Sequence, residues 1–290
     1  MTRRIAYVAD GWAGSPRRRQ VDDASISQFV RAGVEVEVIE APSAHRTAEG
    51  IGKAIAGGAD TVVTAGGDGS AHLITQVLAG TDVALGLIPV GAGNDVARSL
   101  GLPLRNPSAA ADLILRGIPR SIDLGKVGAT WFLTIMACGF DALATERAAR
   151  RTFRTGPAYA AAALGQLPRF EPLSYVLDLD GEQREFEAML VAVGNTSFYG
   201  GGLQMCAGAD ASDGLFDVAI LHRTTRVELL RTIAKLRRGG HVGDPSFERV
   251  RARSVTVAAA GVTAYADGER IGALPLTATC VSGALRVYAP

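Results

Sequence analysis

The first part of the chain alternates short apolar runs with stretches of helical periodicity. Thr61–Ala65 and Val83–Val90 are predominantly apolar, the pattern of buried strands, and Ala71–Leu78 between them has apolar side chains at a helical spacing. A strand, a helix and a second strand in this order predict a βαβ unit with a parallel sheet. The other elements predicted here are strands Ile5–Ala9 and Val34–Ile39 and helices Asp22–Arg31, Thr47–Ala56, Val96–Leu100 and Pro107–Arg116.

Beyond Ile122 the pattern changes to alternating strands with few helices. We therefore predict two domains: an α/β domain over residues 1–122, completed by residues 282–290, and a β-rich domain over residues 123–281. The strands predicted after the boundary are Trp131–Cys138, Ser174–Asp180, Glu185–Val193, Val250–Ala258, Val262–Ala266, Leu276–Cys280 and Leu285–Tyr288.

Both central strands of the first domain end in a glycine-rich turn that carries an aspartate. Glycines at the carboxyl end of a parallel strand let backbone N–H groups approach a ligand, and the following helix start adds positive potential, which suits phosphate. The aspartates suit a Mg²⁺ ion that bridges the phosphates. The alternative is that both are ordinary turn and helix-capping residues. The turns are Gly66, Gly67, Asp68, Gly69 and Ser70, and Gly91, Ala92, Gly93, Asn94 and Asp95.

Composition removes several classes of function. The net charge is +1, which gives no general reason to expect a nucleic-acid partner. The cysteines (Cys138, Cys206 and Cys280) are far apart, which favours reduced thiols in the cytosol over a zinc site. No stretch reaches the roughly 20 apolar residues of a membrane span. The four histidines show no metal-ligand spacing, and no GxSxG segment indicates a serine hydrolase.

Two segments resemble a known family. GGDGS, Gly66–Ser70, resembles the GGDGT motif that diacylglycerol kinases, sphingosine kinases and NAD kinases share. PVGAGNDVARSLGLP, which begins at Pro89, is similar to the PxGTGNDxAR segment of the lipid-kinase branch, which NAD kinases lack. The resemblance continues through Asp123-Leu124-Gly125, Tyr199–Val218 and Asp267-Gly268-Glu269, and so covers nearly the whole chain.

The resemblance implies an NAD kinase/diacylglycerol kinase-like fold. Its first domain would be a three-layer α/β nucleotide-binding domain with a parallel sheet, and its second a mainly antiparallel β-sandwich that binds the substrate. The implied activity is that of an ATP-dependent lipid kinase, which transfers the γ-phosphoryl group of ATP to the hydroxyl of a lipid such as diacylglycerol. Alternatives are a kinase of the same fold that acts on a soluble alcohol, and a non-catalytic nucleotide- or lipid-binding regulator.

The resemblance also assigns roles to residues. Asp68, Asp95 and Asp123 would order Mg²⁺ and its waters beside ATP, and Asp267 or Glu269 would accept the proton of the substrate hydroxyl. Ser70 and Ala92 stand where the family usually has threonine, and Ala92 loses a hydroxyl that would contact the nucleotide. A structural Mg²⁺ is implied at Asp210, Asp213 and the Leu215 carbonyl; a simple Asp-Gly turn is the alternative there.

The partners follow from a lipid substrate. The protein would visit an anionic membrane surface from the cytosol, peripherally and transiently, and bacterial relatives suggest a homodimer. Two basic helices are candidates for the membrane contact, with an ordinary solvated face as the alternative for each. Arg17-Arg18-Arg19 either lies in solvent or comes near the phosphates. The basic helices are Asp141–Phe153, with Arg147, Arg150, Arg151 and the following Arg154, and Arg226–Arg238, with Arg231, Lys235, Arg237 and Arg238.

Overall fold

The computed structural model describes residues 3–9, 16–139 and 171–290. The chain divides into two units, Met1–Ile122 with Gly283–Pro290 and Asp123–Ser282. The predicted basic helix Asp141–Phe153, with the following Arg154, lies outside the described residues. Among the described residues, no helix combines the length and the apolar character needed to cross a bilayer.

The first unit is a parallel sheet covered by helices. Its strand order is β2-β1-β3-β4, and Arg286 and Val287 at the end of β15 add a further parallel pairing beside β4. Helix α1 packs with α5, and α2 packs with α3. The elements are β1 (Arg4–Ala9), α1 (Pro16–Arg31), β2 (Glu35–Glu40), α2 (Ala44–Ala56), β3 (Thr61–Gly66), α3 (Asp68–Leu78), β4 (Ala84–Pro89), α4 (Asp95–Ser99), α5 (Pro107–Arg116) and β15 (Leu276–Val287).

The two central strands are the most buried elements of this unit. Every residue of β3 and β4 is buried, as expected for parallel strands with helices on both faces. The apolar runs therefore predicted these strands correctly. Several helices begin earlier than predicted, among them α2, which begins at Ala44 rather than Thr47. Helix α1 begins at Pro16, where a proline suits the first helical position, and α3 begins at Asp68, so that Asp68, Gly69 and Ser70 form its first turn.

The second unit is mainly antiparallel. Its long strand β9 pairs with β8 through residues 182–188, and its last residues pair with both β7 and β10. The elements are β5 (Arg120–Val127), β6 (Thr130–Phe132), β7 (Ile135–Gly139), β8 (Leu173–Leu179), β9 (Glu182–Gly194), β10 (Phe216–His222), α6 (Arg226–Leu236), β11 (Phe247–Ala252), β12 (Ser254–Ala258), β13 (Thr263–Ala266) and β14 (Glu269–Ala273).

Alternate residues of β9 belong to different cores, as the period of a strand requires. Val191 and Val193 lie in a cluster with Tyr175, Phe216 and Val255. Leu190 and Ala192 face the opposite side, in a second cluster that includes Leu229 and Leu236 of α6. The unit is therefore a β-sandwich-like arrangement with a helix on an outer face, as the resemblance implied.

Two predicted strands of the second unit are each divided into two by an aspartate. Trp131–Cys138 is interrupted between β6 and β7, because the N–H groups of Leu133 and Thr134 donate to the carboxylate of Asp267. Val250–Ala258 is interrupted between β11 and β12, because the N–H groups of Arg253 and Ser254 donate to the carboxylate of Asp180. Both aspartates precede a glycine in a hairpin turn and have a φ of 53°.

The end of the chain also differs from the prediction. Leu276–Cys280 and Leu285–Tyr288 were predicted as separate strands, but β15 runs without a break from Leu276 to Val287. Its first residues pair antiparallel with β12, and its last residues pair with β4. Gly283, which lies between the two predicted strands, has a φ of 63°.

Candidate functional site

The first glycine turn joins β3 directly to α3. Gly66 is the last residue of the strand and Gly67 is the N-cap of the helix. No side chain of the described residues caps this helix end. The N–H groups of the first turn of a helix have no intrahelical acceptor, and the helix dipole adds positive potential there. Asp68, Gly69 and Ser70 therefore lie in a helix start whose backbone donors suit an anion.

The second glycine turn packs directly against the first. A Cβ added to Gly91 would lie 2.6 Å from the Cα of Gly67, and one added to Gly67 would lie 3.0 Å from the Cα of Gly91. The N–H of Val90 donates to the carbonyl of Gly66 at 3.0 Å. The two backbones approach so closely that neither glycine can be replaced without displacing the other turn.

Asp68 links the two turns through its side chain. Its Oδ1 accepts a hydrogen bond from the backbone N–H of Val96 in α4, at 2.9 Å. The neighbouring Asp95 is only 6% exposed. The structure therefore brings both predicted carboxylates to the same pair of turns, and Asp68 has a structural contact that its position in the sequence does not indicate.

Asn94 occupies a left-handed conformation, with a φ of 54°, at the N-cap of α4. Its Nδ2 donates to the carbonyl of Gly91 at 2.7 Å, which fixes the orientation of the amide. Its Oδ1 is buried and has no hydrogen-bond partner among the described residues. Ala92, by contrast, is exposed and has room for a larger side chain. A buried amide oxygen without a donor is a position that a bound ligand or cation would satisfy.

The predicted acids of the second unit have separate environments. The Asp267 carboxylate accepts three hydrogen bonds: from Leu133 N at 2.8 Å, Thr134 N at 2.8 Å and Thr134 Oγ1 at 2.6 Å. Glu269 is exposed, and its carboxylate has no hydrogen-bond or ion-pair partner within the described part of the chain. Asp267 therefore holds the β6–β7 junction, whereas the Glu269 side chain lies in solvent.

Asp123 lies against the loop that was predicted to bind a structural metal. Its Oδ2 accepts a hydrogen bond from Gly214 N at 2.7 Å, and its own N–H donates to the carbonyl of Ala211 at 2.6 Å. Asn195, which is fully buried, donates through Nδ2 to the carbonyls of Asp123 and Leu133, at 2.8 and 2.9 Å. Sequence reasoning assigned no role to Asn195, which joins the Asp123 element to the segment held by Asp267.

The loop from Asp210 to Leu215 is arranged by its own aspartates. Asp210 Oδ1 accepts from Ser212 N and Ser212 Oγ, at 3.0 and 2.6 Å. Asp213 Oδ1 accepts from Leu215 N at 3.0 Å, and its Oδ2 forms an ion pair with Arg251. Within residues 3–9, 16–139 and 171–290, no three His, Cys, Asp or Glu side chains are placed to share one metal ion.

The cysteines of the second unit do not supply a reactive nucleophile. All three are buried free thiols. Burial, together with the carboxylates of Asp123 and Asp213, raises the pKa of the Cys280 thiol to about 12. A thiol with such a pKa is almost entirely protonated near neutral pH and is a poor nucleophile.

Comparison with known families assigns both parts of the chain. Residues 5–127 match the diacylglycerol kinase catalytic domain. Residues 134–289 match the YegS C-terminal NAD kinase beta sandwich-like domain. The first match contains both glycine turns, and the second contains Asn195, Asp267 and Glu269.

Individual proteins give the same result over most of the length. The chain is 41% identical over 273 residues to a diacylglycerol kinase of Mycobacterium tuberculosis. This match covers 92% of this chain and 88% of the relative. It is 35% identical over 283 residues to a probable YegS-like lipid kinase of Pseudomonas fluorescens, with 92% of each covered. A crystal structure of a putative diacylglycerol kinase from Bacillus anthracis superposes with a TM-score of 0.79 at 21% identity, over 99% of this chain and 97% of that one.

Proposed function

We propose that this chain transfers the γ-phosphoryl group of ATP to the hydroxyl of a lipid, because it belongs to the family of diacylglycerol kinases and YegS-like lipid kinases. Diacylglycerol is the first candidate acceptor, since it is the substrate that the name of the Mycobacterium tuberculosis relative states. The observation that carries the proposal is the direct packing of two glycine turns, with Asp68 and Asp95 beside them.

The first unit would bind the nucleotide. Phosphoryl transfer depends mainly on positioning and on neutralising charge. The start of α3, over Asp68, Gly69 and Ser70, offers backbone N–H groups to phosphate oxygens. The close contact of Gly67 with Gly91 brings the second turn, including exposed Ala92, beside the same helix start. Both turns would therefore line one phosphate site.

Mg²⁺ is the metal that the residues around these turns fit. Mg²⁺ takes oxygen ligands, uses one or two protein carboxylates, and completes its shell with waters and substrate phosphates. Asp68 and Asp95 supply carboxylates, and the buried Asn94 Oδ1 supplies an oxygen without a donor in the described structure. Bound there, the ion would neutralise phosphate charge. The protein's own part is to hold these oxygens in place through the Asp68–Val96 and Asn94–Gly91 hydrogen bonds.

The second unit would supply the base. We assign proton acceptance from the acceptor hydroxyl to Glu269, because its carboxylate is exposed and unpaired in the described structure. We assign Asp267 to positioning, because its three hydrogen bonds hold the β6–β7 junction. Asp123 stays a predicted member of the network that orders the metal and its waters. Its hydrogen bond from Gly214 N supports, in addition, a role in shaping the loop that follows Asp210.

A structural Mg²⁺ at Asp210, Asp213 and the Leu215 carbonyl stays a prediction. The ion would have to displace Arg251 from Asp213, since this guanidinium already neutralises that carboxylate. If the site forms, MgCl₂ will raise the melting temperature of the unmutated protein, and Asp210→Ala will remove the effect. An equal rise in both proteins would contradict it.

Contact with an anionic membrane is proposed for the basic residues at the end of α6. Arg231, Arg237 and Arg238 are exposed, whereas Lys235 is paired with Asp244. Each basic residue near an anionic surface contributes about 1 kcal/mol to binding. The proposal predicts sedimentation with vesicles that contain phosphatidylglycerol, reduced in the Arg237→Ala/Arg238→Ala protein. A homodimer also stays a prediction.

The experiment that tests the main proposal is transfer of label from [γ-³²P]ATP, with Mg²⁺, into a total bacterial lipid extract. The expected result is one new labelled lipid, made by the unmutated protein and not by Asp68→Ala, whose mass identifies the acceptor. Label that remains in ATP although ATP binds would contradict the lipid assignment. A parallel assay with soluble alcohols would then distinguish a soluble-substrate kinase from a non-catalytic binder.

A further inference from the structure

The two turns proposed to bind phosphate contain no basic residue. Their sequences are Gly-Gly-Asp-Gly-Ser and Gly-Ala-Gly-Asn-Asp, so each adds a carboxylate to a site for a polyanion. Backbone N–H groups and a bound cation offset part of this charge. A side-chain cation for the phosphates has to come from another element of the fold.

Helix α1 brings such a cation to the first turn. Nη2 of Arg18 lies 3.5 Å from Oγ of Ser70. A Cβ added to Gly66 would lie 3.5 Å from the same nitrogen. Arg18 is partly buried, whereas its neighbours Arg17 and Arg19 are exposed. Of three consecutive arginines, the middle one therefore reaches the end of β3 and the start of α3.

A buried acid lies one helical turn from Arg18 on α1. Asp22 is one helical turn further on, is 6% exposed, and accepts a hydrogen bond from the Tyr7 hydroxyl at 2.8 Å. Burial, followed by the charge of Asp22, raises the pKa of Tyr7, and the charge of Arg18 opposes this rise. The guanidinium therefore lies close enough to the Tyr7–Asp22 pair for its charge to affect the pKa of Tyr7. A buried carboxylate also favours a nearby cation.

We propose that Arg18 binds the phosphate chain of the nucleotide at the first glycine turn. This inference rests on the proposed function, because it adds a residue to the same nucleotide site. A contact of 3.5 Å to a hydroxyl is at the long limit of hydrogen bonding. The guanidinium presents five N–H donors in a planar fork that matches phosphate oxygens. Ser70 and Arg18 would bind adjacent phosphate oxygens, with the Arg18 guanidinium beside Gly66.

The test is calorimetric binding of MgATP and of inorganic tripolyphosphate to the unmutated protein, Arg18→Ala, Arg18→Lys and Arg17→Ala. Arg18→Ala is expected to bind both ligands about tenfold more weakly or worse, as loss of a charged hydrogen bond predicts. Arg18→Lys keeps the charge but loses the planar guanidinium. Its affinity for both ligands is therefore expected to lie between those of the unmutated protein and Arg18→Ala. Arg17→Ala is the matched control, because Arg17 is exposed, and is expected to bind like the unmutated protein.

The outcomes separate the two proposals. If the unmutated protein binds neither ligand, the nucleotide site itself is wrong and Arg18 has no such role. If it binds both and folded Arg18→Ala binds them equally well, only the inference about Arg18 is wrong. Weaker ATP binding with unchanged tripolyphosphate binding would place Arg18 at another part of the nucleotide, which also overturns the proposal. Should Arg18→Ala fail to fold, as judged by thermal melting, Arg18→Gln takes its place with the same expected loss.

Discussion

The carboxylate of Asp68 accepts a hydrogen bond from the backbone N–H of Val96 at 2.9 Å, across 28 residues of sequence. This bond joins the start of α3 to the start of α4, and thereby the first glycine turn to the second. The same side chain is the principal candidate for the metal at the nucleotide. One residue would therefore have two separable roles, which substitutions that keep or remove its oxygen atoms can distinguish.

Asp68→Asn and Asp68→Ala should differ in stability but not in activity. Asparagine keeps an oxygen for Val96 N, whereas alanine leaves that helix start without its acceptor, at a cost of about 0.5–2 kcal/mol in unfolding free energy. Both remove the charge, so both should reduce phosphoryl transfer by about 100-fold or more. The measurements are thermal melting and labelled-ATP transfer, with exposed Asp82→Asn as control. Full turnover in Asp68→Asn would show that the carboxylate is structural only.

Glu269→Gln should reduce turnover without affecting stability. Its side chain is exposed, so amidation changes few contacts, while loss of a general base typically costs about 10²–10⁴-fold in rate. Glu185→Gln, at another exposed strand position of the same unit, is the matched control. If Glu269→Gln turns over at the unmutated rate with saturating substrates, the base is a different group.

Asp267→Ala should reduce the stability of the folded protein. It removes the acceptor of two backbone N–H groups and one hydroxyl, and places alanine at a φ of 53°. Unsatisfied donors cost about 1–3 kcal/mol each when buried, so a loss of about 2 kcal/mol or more is expected for this partly buried set. Asp267→Asn, which tolerates the left-handed conformation, should lose less. Chemical denaturation measures both; an unchanged unfolding midpoint for Asp267→Ala would refute the positioning role.

The glycines of the two turns should respond differently to alanine. Gly91→Ala places a methyl group 2.6 Å from the Cα of Gly67, where only backbone can move, and overpacking of this kind costs about 1–3 kcal/mol. Gly69→Ala meets no described atom within 4 Å and should fold normally. If the nucleotide lies against the α3 start, Gly69→Ala will nevertheless weaken ATP binding. Equal stability of the two variants would contradict the close contact of the turns.

His241 should make the second unit less stable at acidic pH. It is buried, donates through Nε2 to the carbonyl of Met205, and burial lowers its pKa below the ordinary value. Below the unfolded-state pKa of about 6.5, the unfolded chain binds a proton that the folded protein resists. Stability therefore falls as the pH drops below this value. His241→Gln cannot titrate, so its melting temperature should fall less between pH 7.5 and 5.5; parallel profiles would refute this.

The sequence predicted the parts of the fold that depend on local pattern. The apolar runs of β3 and β4 are buried in continuous segments, and glycines with aspartates follow each of them, so neighbouring turns were expected. The breaks between β6 and β7 and between β11 and β12 were missed. The carboxylates responsible, Asp267 and Asp180, are 133 and 73 residues away in sequence from their nearest bond partners, so no local pattern indicates either break.

The same limitation applies to the candidate site. Asp68 and Asp95 were identified because each stands in a recognisable turn. Thr134 was not identified, and Asn195, although it resembles the asparagine of the family's Asn…Tyr-Gly-Gly-Gly element, was given no role, because the partners of both lie far away in sequence. The three consecutive arginines of α1 indicated a phosphate contact only weakly, since a solvated helix start was the alternative interpretation. The structure distinguishes Arg18 from its neighbours by its partial burial and by its contact with Ser70.

The last segment of β15 determines when the first unit can become complete. Residues 283–290 belong to that unit, where Val287 pairs with β4, Tyr288 N donates to the carbonyl of Leu85, and Tyr288 lies under Arg3. Domains commonly fold in order as the ribosome releases them. Here residues 1–122 emerge with the outer edge of β4 unpaired, and the segment that covers it follows only after the whole second unit has been translated. The nascent protein therefore carries an open sheet edge while the second unit is synthesised, an interval in which its unpaired N–H and C=O groups are exposed to other chains.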